Sequence, residues 1–137
     1  MERRDHLMHQ IDQLGLVLQR LMGKLLGTPD PATTLQSTLD QLTTAVGKAV
    51  TDVEGDPRDM LNAIAGNPAF TTTNAEHLAE LLWRLGDPAE APAASPHASR
   101  ACRERALLIL EHLNATDRTY SFERHAKVAE WRRELGG

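Results

Sequence analysis

Two stretches of this 137-residue chain carry one spacing. Leu7, Ile11, Leu14, Leu18, Leu21 and Leu25 step by four and three, and so do Leu35, Leu39, Leu42, Val46, Ala49 and Val53. An α-helix turns once per 3.6 residues, so each set forms one apolar stripe along a helix. Two striped helices joined by a short turn at Gly27–Pro31 are expected to lie antiparallel, seam on seam. No segment alternates apolar and polar residues as a half-buried strand does. The rest of the chain also reads as helix, about six in all, which makes the fold class all-α.

Local signals divide the chain further. Asp30-Pro31 pairs an N-cap residue with a first-turn proline, and the second helix is expected to run from there to about Val53. Asp56-Pro57 repeats the device for a short third helix, ended by Gly66-Asn67-Pro68. Thr73 and Glu76 have capping-box spacing and are expected to open a fourth helix carrying Leu78, Leu81, Leu82 and Leu85. Ser95-Pro96 opens a fifth, with Cys102, Ala106, Ile109, Leu110 and Leu113 facing inward. After a turn at 114–118, a sixth is expected to carry Phe122, Ala126, Ala129, Trp131 and Leu135 on its apolar side. The whole chain, 1–137, is one helical domain: a hairpin over 1–54, helices over 56–86 and 96–135, and an Ala- and Pro-rich flexible loop at 87–95. Gly15, Gly23 and Gly27 fall near one side of the first helix, which invites close approach by another backbone.

Composition narrows the function classes. Aromatic residues make up 4% of the chain, so the core has to come from Leu, Ala, Val, Ile and Met, a composition that, taken as a whole, favours helix over sheet. The net charge is -4, and the basic residues after position 99 are interleaved with Glu104, Glu111, Glu123, Glu130 and Glu134. A solvated helix face explains that mixture, and nothing resembles the concentrated basic face of a nucleic-acid binder. A lone cysteine makes no internal disulfide, which fits a reducing, cytoplasmic location. The charged start is followed by no leader-type apolar run, and Gln19, Arg20 and Lys24 interrupt the longest leucine-rich stretch, so no membrane insertion is expected.

Leu82-x-x-Leu85-Gly86 stands where a tetratricopeptide repeat has W-x-x-L-G, and Ala106-Leu107 resembles the small-residue packing point of that repeat's second helix. Ala89 stands where a tyrosine is usual, and no second copy follows at a 34-residue period. The start, Asp5-His6-Leu7-Met8-His9-Gln10-Ile11, and the segment Leu113-Asn114-Ala115-Thr116-Asp117-Arg118-Thr119-Tyr120-Ser121-Phe122-Glu123-Arg124 resemble a family of small bacterial helical proteins of unknown function. That family is built around a degenerate tetratricopeptide-like core. The resemblance covers both ends and the fourth helix; residues 28–70 have no match in it. It implies a helical array after the hairpin and brings no catalytic residues.

Candidate chemistry is sparse. Glu2, Asp5, His6 and His9 share a side of the first helix and are the weak candidates for a metal site. The acids among them equally suit the positive end of the helix dipole. Arg100 and Arg103, with His97, put positive charge near a helix start, where an anionic ligand or partner would relieve it. Cys102 between arginines reads either as an activated thiol or as a small core residue. Trp83, Tyr120, Phe122 and Trp131 would either close the core or line a groove for a peptide. The first helix has further apolar residues at Met8, Val17, Met22 and Leu26, which would pair it with a second chain. No phosphate-cradling loop and no Ser-His-Asp arrangement is present, and no cofactor is expected. The sequence therefore points to a non-enzymatic adaptor or scaffold that binds a protein or peptide. A homodimer centred on the first helix is the alternative, and a metal protein or enzyme stands third.

Overall fold

A computed structural model describes residues 2–27, 34–87, 89, 91 and 96–136, with side chains from Arg4 onward. The described residues form seven helices and no strand: α1 (Glu2–Leu26), α2 (Leu35–Val46), α3 (Lys48–Thr51), α4 (Pro57–Ala65), α5 (Thr72–Leu85), α6 (Pro96–Thr116) and α7 (Phe122–Gly136). None of them is long and apolar enough to cross a membrane.

The centre of the fold is α5. Eight of its fourteen residues are buried, among them Leu78, Leu81, Leu82 and Leu85. A helix that is apolar on so many sides has to be surrounded. α6 covers it most extensively and α1 lies along another side, while α7 packs on α6. The α1 stripe delivers Leu14, Leu18, Leu21 and Leu25 to the core. Asn74 of α5 secures the crossing by donating its side-chain amide to the carbonyls of Ile11 at 3.0 Å and Ala69 at 2.8 Å. Helix α2 adds Leu35, Leu39 and Leu42, and then α3 and α4 add Val50, Met60 and Ile64. α1 packs more extensively on α5 than on α2.

Several boundaries differ from the sequence expectation, each for a local reason. The second helix does not run unbroken to Val53. It opens at a capping box made by Thr34 and Ser37, and it ends at Gly47, whose φ of 92° no side-chain-bearing residue adopts comfortably. α3 then starts on a new axis, so Val50 is buried while Ala49 is exposed. Asp30 and Pro31, expected to open that helix, lie outside the described residues. α5 is capped by Thr71 rather than Thr73; its hydroxyl accepts from the Asn74 amide at 3.2 Å. α7 buries only part of the expected set, Trp131 with Leu135 partly buried, and adds Arg124 and Val128 to it. Arg124, Val128 and Trp131 are inside, whereas Phe122, Ala126 and Ala129 face solvent. The glycines of α1 are not a common close-approach face: a Cβ on Gly15 would lie 3.2 Å from Asn74 Oδ1, but one on Gly23 would meet nothing within 4 Å. The tight spot is Gly86, where a Cβ would lie 2.7 Å from the Ser99 carbonyl, so α6 starts pressed against the end of α5. Most of the expected flexible loop, Pro88, Glu90 and 92–95, lies outside the described residues; Ala91 is buried.

Gly47 gives a clean test of the α2–α3 break. Its Cβ would clash with nothing, so any cost of Gly47→Ala is backbone conformation alone. The substitution should destabilise the fold by about 1 to 2 kcal/mol, read from urea unfolding midpoints.

Candidate interaction surface at the α6–α7 turn

α6 ends at Thr116, and five residues lead into α7. Asp117 shapes the first part of this turn by accepting the Thr119 amide at 3.1 Å. Ser121 closes it: its hydroxyl accepts the Arg124 amide at 3.2 Å, as an N-cap does. The side chain of Arg124 then runs inward and is only 3% exposed. Its Nε donates to Asn114 Oδ1 at 2.7 Å, and its Nη1 faces Glu76 at 2.8 Å and Asp117 at 3.2 Å. Its Nη2 reaches the Thr119 carbonyl at 3.4 Å. One guanidinium thus ties α5, the end of α6, the turn and α7 together, in the fixed fork geometry that arginine supplies. Two carboxylates and two neutral acceptors meet the charge that burial would otherwise make costly.

With Arg124 turned inward, the residues on either side of Ser121, Tyr120 at the end of the turn and Phe122 at the start of α7, face out. Tyr120 is 69% exposed and Phe122 is 75% exposed. Tyr120 stacks on His125 with ring centroids 4.5 Å apart. Trp83 and Trp131 behave oppositely: both are buried, and they stack at 4.4 Å with an interplanar angle of 2°. The Arg103 guanidinium lies 4.3 Å from the Trp83 ring centre, so a cation caps the pair. The four aromatic candidates therefore fall into two pairs, one closing the core and one in solvent.

Next to the hub is a small cleft of about 150 Å³, walled by Glu76, His77, Glu80, Ser121, Arg124 and Lys127. Two ion pairs span it, Arg124 with Glu76 and Lys127 with Glu80, and Glu123 also lines it. The buried Nδ1 of His77 has no hydrogen-bond partner among the described residues.

The other candidates are dispersed. Asp5, His6 and His9 are exposed, and the side chain of Glu2 lies outside the described residues. Among the described residues no three His, Cys, Asp or Glu side chains come together as a metal site. Arg100 binds Glu104 at 2.8 Å and the Leu135 carbonyl at 3.0 Å. Arg103 also donates to the Trp83 carbonyl at 3.2 Å and pairs with Glu134 at 3.6 Å, and His97 lies 3.7 Å from Glu54. The positive charge near the start of α6 is thereby answered within the chain. Cys102 is buried, and burial pushes its thiol up to about 12, a greater effect than the opposing pull of Arg105.

Sequence reasoning missed the Arg124 hub. The signal was the spacing 124, 128, 131 and 135, which sets an arginine in line with Val128, Trp131 and Leu135. An arginine in an apolar stripe needs buried acceptors. Comparison with protein-family models, with curated proteins and with solved structures finds no match to this chain.

Two outcomes are expected. Arg124→Met leaves Glu76 and Asp117 facing each other without a cation and should cost roughly 3 kcal/mol in urea unfolding, against about 1 kcal/mol for Glu76→Gln at the half-exposed partner. Cys102 should not react with a disulfide-exchange reagent at pH 8 in the native protein and should react at once in denaturant.

Proposed function

We propose that the chain is a non-enzymatic helical interaction module that presents Tyr120 and Phe122 to a protein or peptide partner. The observation that carries this reading is that two large aromatic side chains stand in solvent where the turn enters α7, braced from beneath by Arg124. Aromatic anchors supply contact area at little conformational cost, and a turn ordered before binding loses little further entropy. The reading also draws on the resemblance of α5 and α6 to a tetratricopeptide unit and of both ends of the chain to a family of small bacterial helical proteins, placed in the cytoplasm and without a cofactor. The ion pairs that hold the side chains of the cleft beside the hub, Arg124 with Glu76 and Lys127 with Glu80, favour a structural role for it over catalysis.

Immobilised wild type and a Tyr120→Ala/Phe122→Ala variant are compared in pull-downs from a lysate of the source organism, eluates being read by mass spectrometry. The variant should keep its melting temperature, because neither ring is part of the core. A protein retained by wild type and reduced at least about tenfold on the variant supports the module. Equal retention on both would overturn it.

A further inference from the structure

α7 is fastened differently from the helices beneath it. α5 buries eight of its fourteen residues, and α6 buries Cys102, Ala106, Ile109, Leu110 and Leu113. The fifteen residues of α7 bury two apolar side chains, Val128 and Trp131, with Leu135 partly covered. Its backbone packs closely on α6 but not on α5, which it reaches through long side chains. Those side chains form a ladder: Arg124 meets Glu76 at 2.8 Å, Lys127 meets Glu80, and Trp131 stacks on Trp83 at 4.4 Å. Positions 76, 80 and 83 share one side of α5, and 124, 127 and 131 share one side of α7. The numbers rise together, so the two helices run parallel. The seam between them is not filled. The cleft of about 150 Å³ lies at the Arg124 end, and a second of about 440 Å³, with Glu80, Trp83, Trp131 and Glu134 on its walls, opens at the tryptophan end. A closely packed seam leaves few voids larger than a water molecule. The outer edge of α7 is polar too. Arg132 pairs with Glu111 at 3.0 Å and Arg103 with Glu134 at 3.6 Å, and Arg100 donates to the Leu135 carbonyl at 3.0 Å.

We infer that α7 is a releasable arm: it leaves α5 and α6 as one unit while the other helices stay folded, and ionic strength sets how often it does so. Part-exposed ion pairs contribute little each and are screened by salt. A segment with few buried apolar contacts opens at a free energy below that of global unfolding. The remaining helices do not need α7, since α5 is enclosed by α6 and α1, and α2, α3 and α4 pack among themselves and on α1 and α6. Arg124 makes the release all-or-none. Its guanidinium holds acceptors on α5, on α6 and in the turn, and a partial departure would leave a buried charge with some of them lost. Release uncovers the ring of Trp83 and removes the brace under Tyr120 and Phe122. The arm thus governs the surface proposed above as a docking site, but its release does not depend on that role.

Native-state amide hydrogen exchange on the full chain, at about 0.05 and about 1 M NaCl and with no partner added, tests this. Amides of residues 125–135 should share one opening constant, about 100-fold or more above that of the α5 amides 78–85. The higher salt should raise the α7 constant about tenfold and change that of α5 less than about twofold. Glu80→Gln/Glu111→Gln removes two of the part-exposed pairs. It should raise the α7 constant about fivefold at low salt, blunt the response to salt and leave α5 as in wild type. Both glutamates reach solvent, so the variant should keep the helical circular dichroism of wild type. Exchange of α7 and α5 with a single constant would overturn the inference, because α7 would then open only with the whole molecule. Exchange graded along α7 from its last turn inward would overturn it as fraying, and so would an α7 constant indifferent to salt and to the double substitution. The docking reading is decided separately, by the pull-down.

Discussion

A buried guanidinium cannot be left with unmet charge, and the arrangement around Arg124 follows from that constraint. Its acceptors come from α5 (Glu76), the end of α6 (Asn114) and the connecting turn (Asp117 and Thr119). Satisfying all four at once leaves α7 one angle of approach. That angle sends Val128 and Trp131 into the core and sets Trp131 flat on Trp83. Arg103 then closes the far side of the stack while holding Glu134 of α7. A polar hub and an aromatic stack thus fasten the same helix at its two ends. The hub chiefly selects the geometry, since buried ion pairs contribute little net stability, and the stack contributes apolar burial.

What could be read in the sequence was what periodicity alone decides. The core residues of α1, α5 and α6 follow the helical spacing, and Asp56-Pro57 opens α4 as its residue types require. The failures occurred where two signals competed. The stripe running through Val46, Ala49 and Val53 implies one helix, yet a single backbone angle at Gly47 overrides it and rotates Val50 inward. In α7 two stripes coexist, 122/126/129 and 124/128/131, and apolarity favours the first. The second is buried because its arginine finds four acceptors, all of them more than four residues away in sequence. No local rule sees those partners. The candidate site was legible only in part for the same reason: Tyr120 and Phe122 stood out as residues, but their exposure is a consequence of the hub.

The aromatic residues of this chain are few enough for their placement to be informative. Three of the five, Phe70, Trp83 and Trp131, are buried or half-buried. The core is otherwise aliphatic and closes without Tyr120 or Phe122. Burying either ring would be worth roughly 2 kcal/mol, so the fold forgoes a sizeable stabilisation by keeping both outside. Nothing in the local geometry obliges those positions to be aromatic; the turn needs Asp117, Ser121 and Arg124, and any polar residue would serve at 120 and 122. Two large apolar rings held out on an ordered turn bring stickiness without a packing gain, and such exposure is the usual mark of a contact surface. The same reasoning applies to Leu16 and Leu26 on α1, where lysine or glutamate would form as good a helix and stay soluble. The molecule therefore has two outward apolar features on separate elements. One is a compact point on a braced turn, suited to a pocket or groove in a partner. The other is a line on the outward side of α1 with Leu16 and Leu26 at its ends.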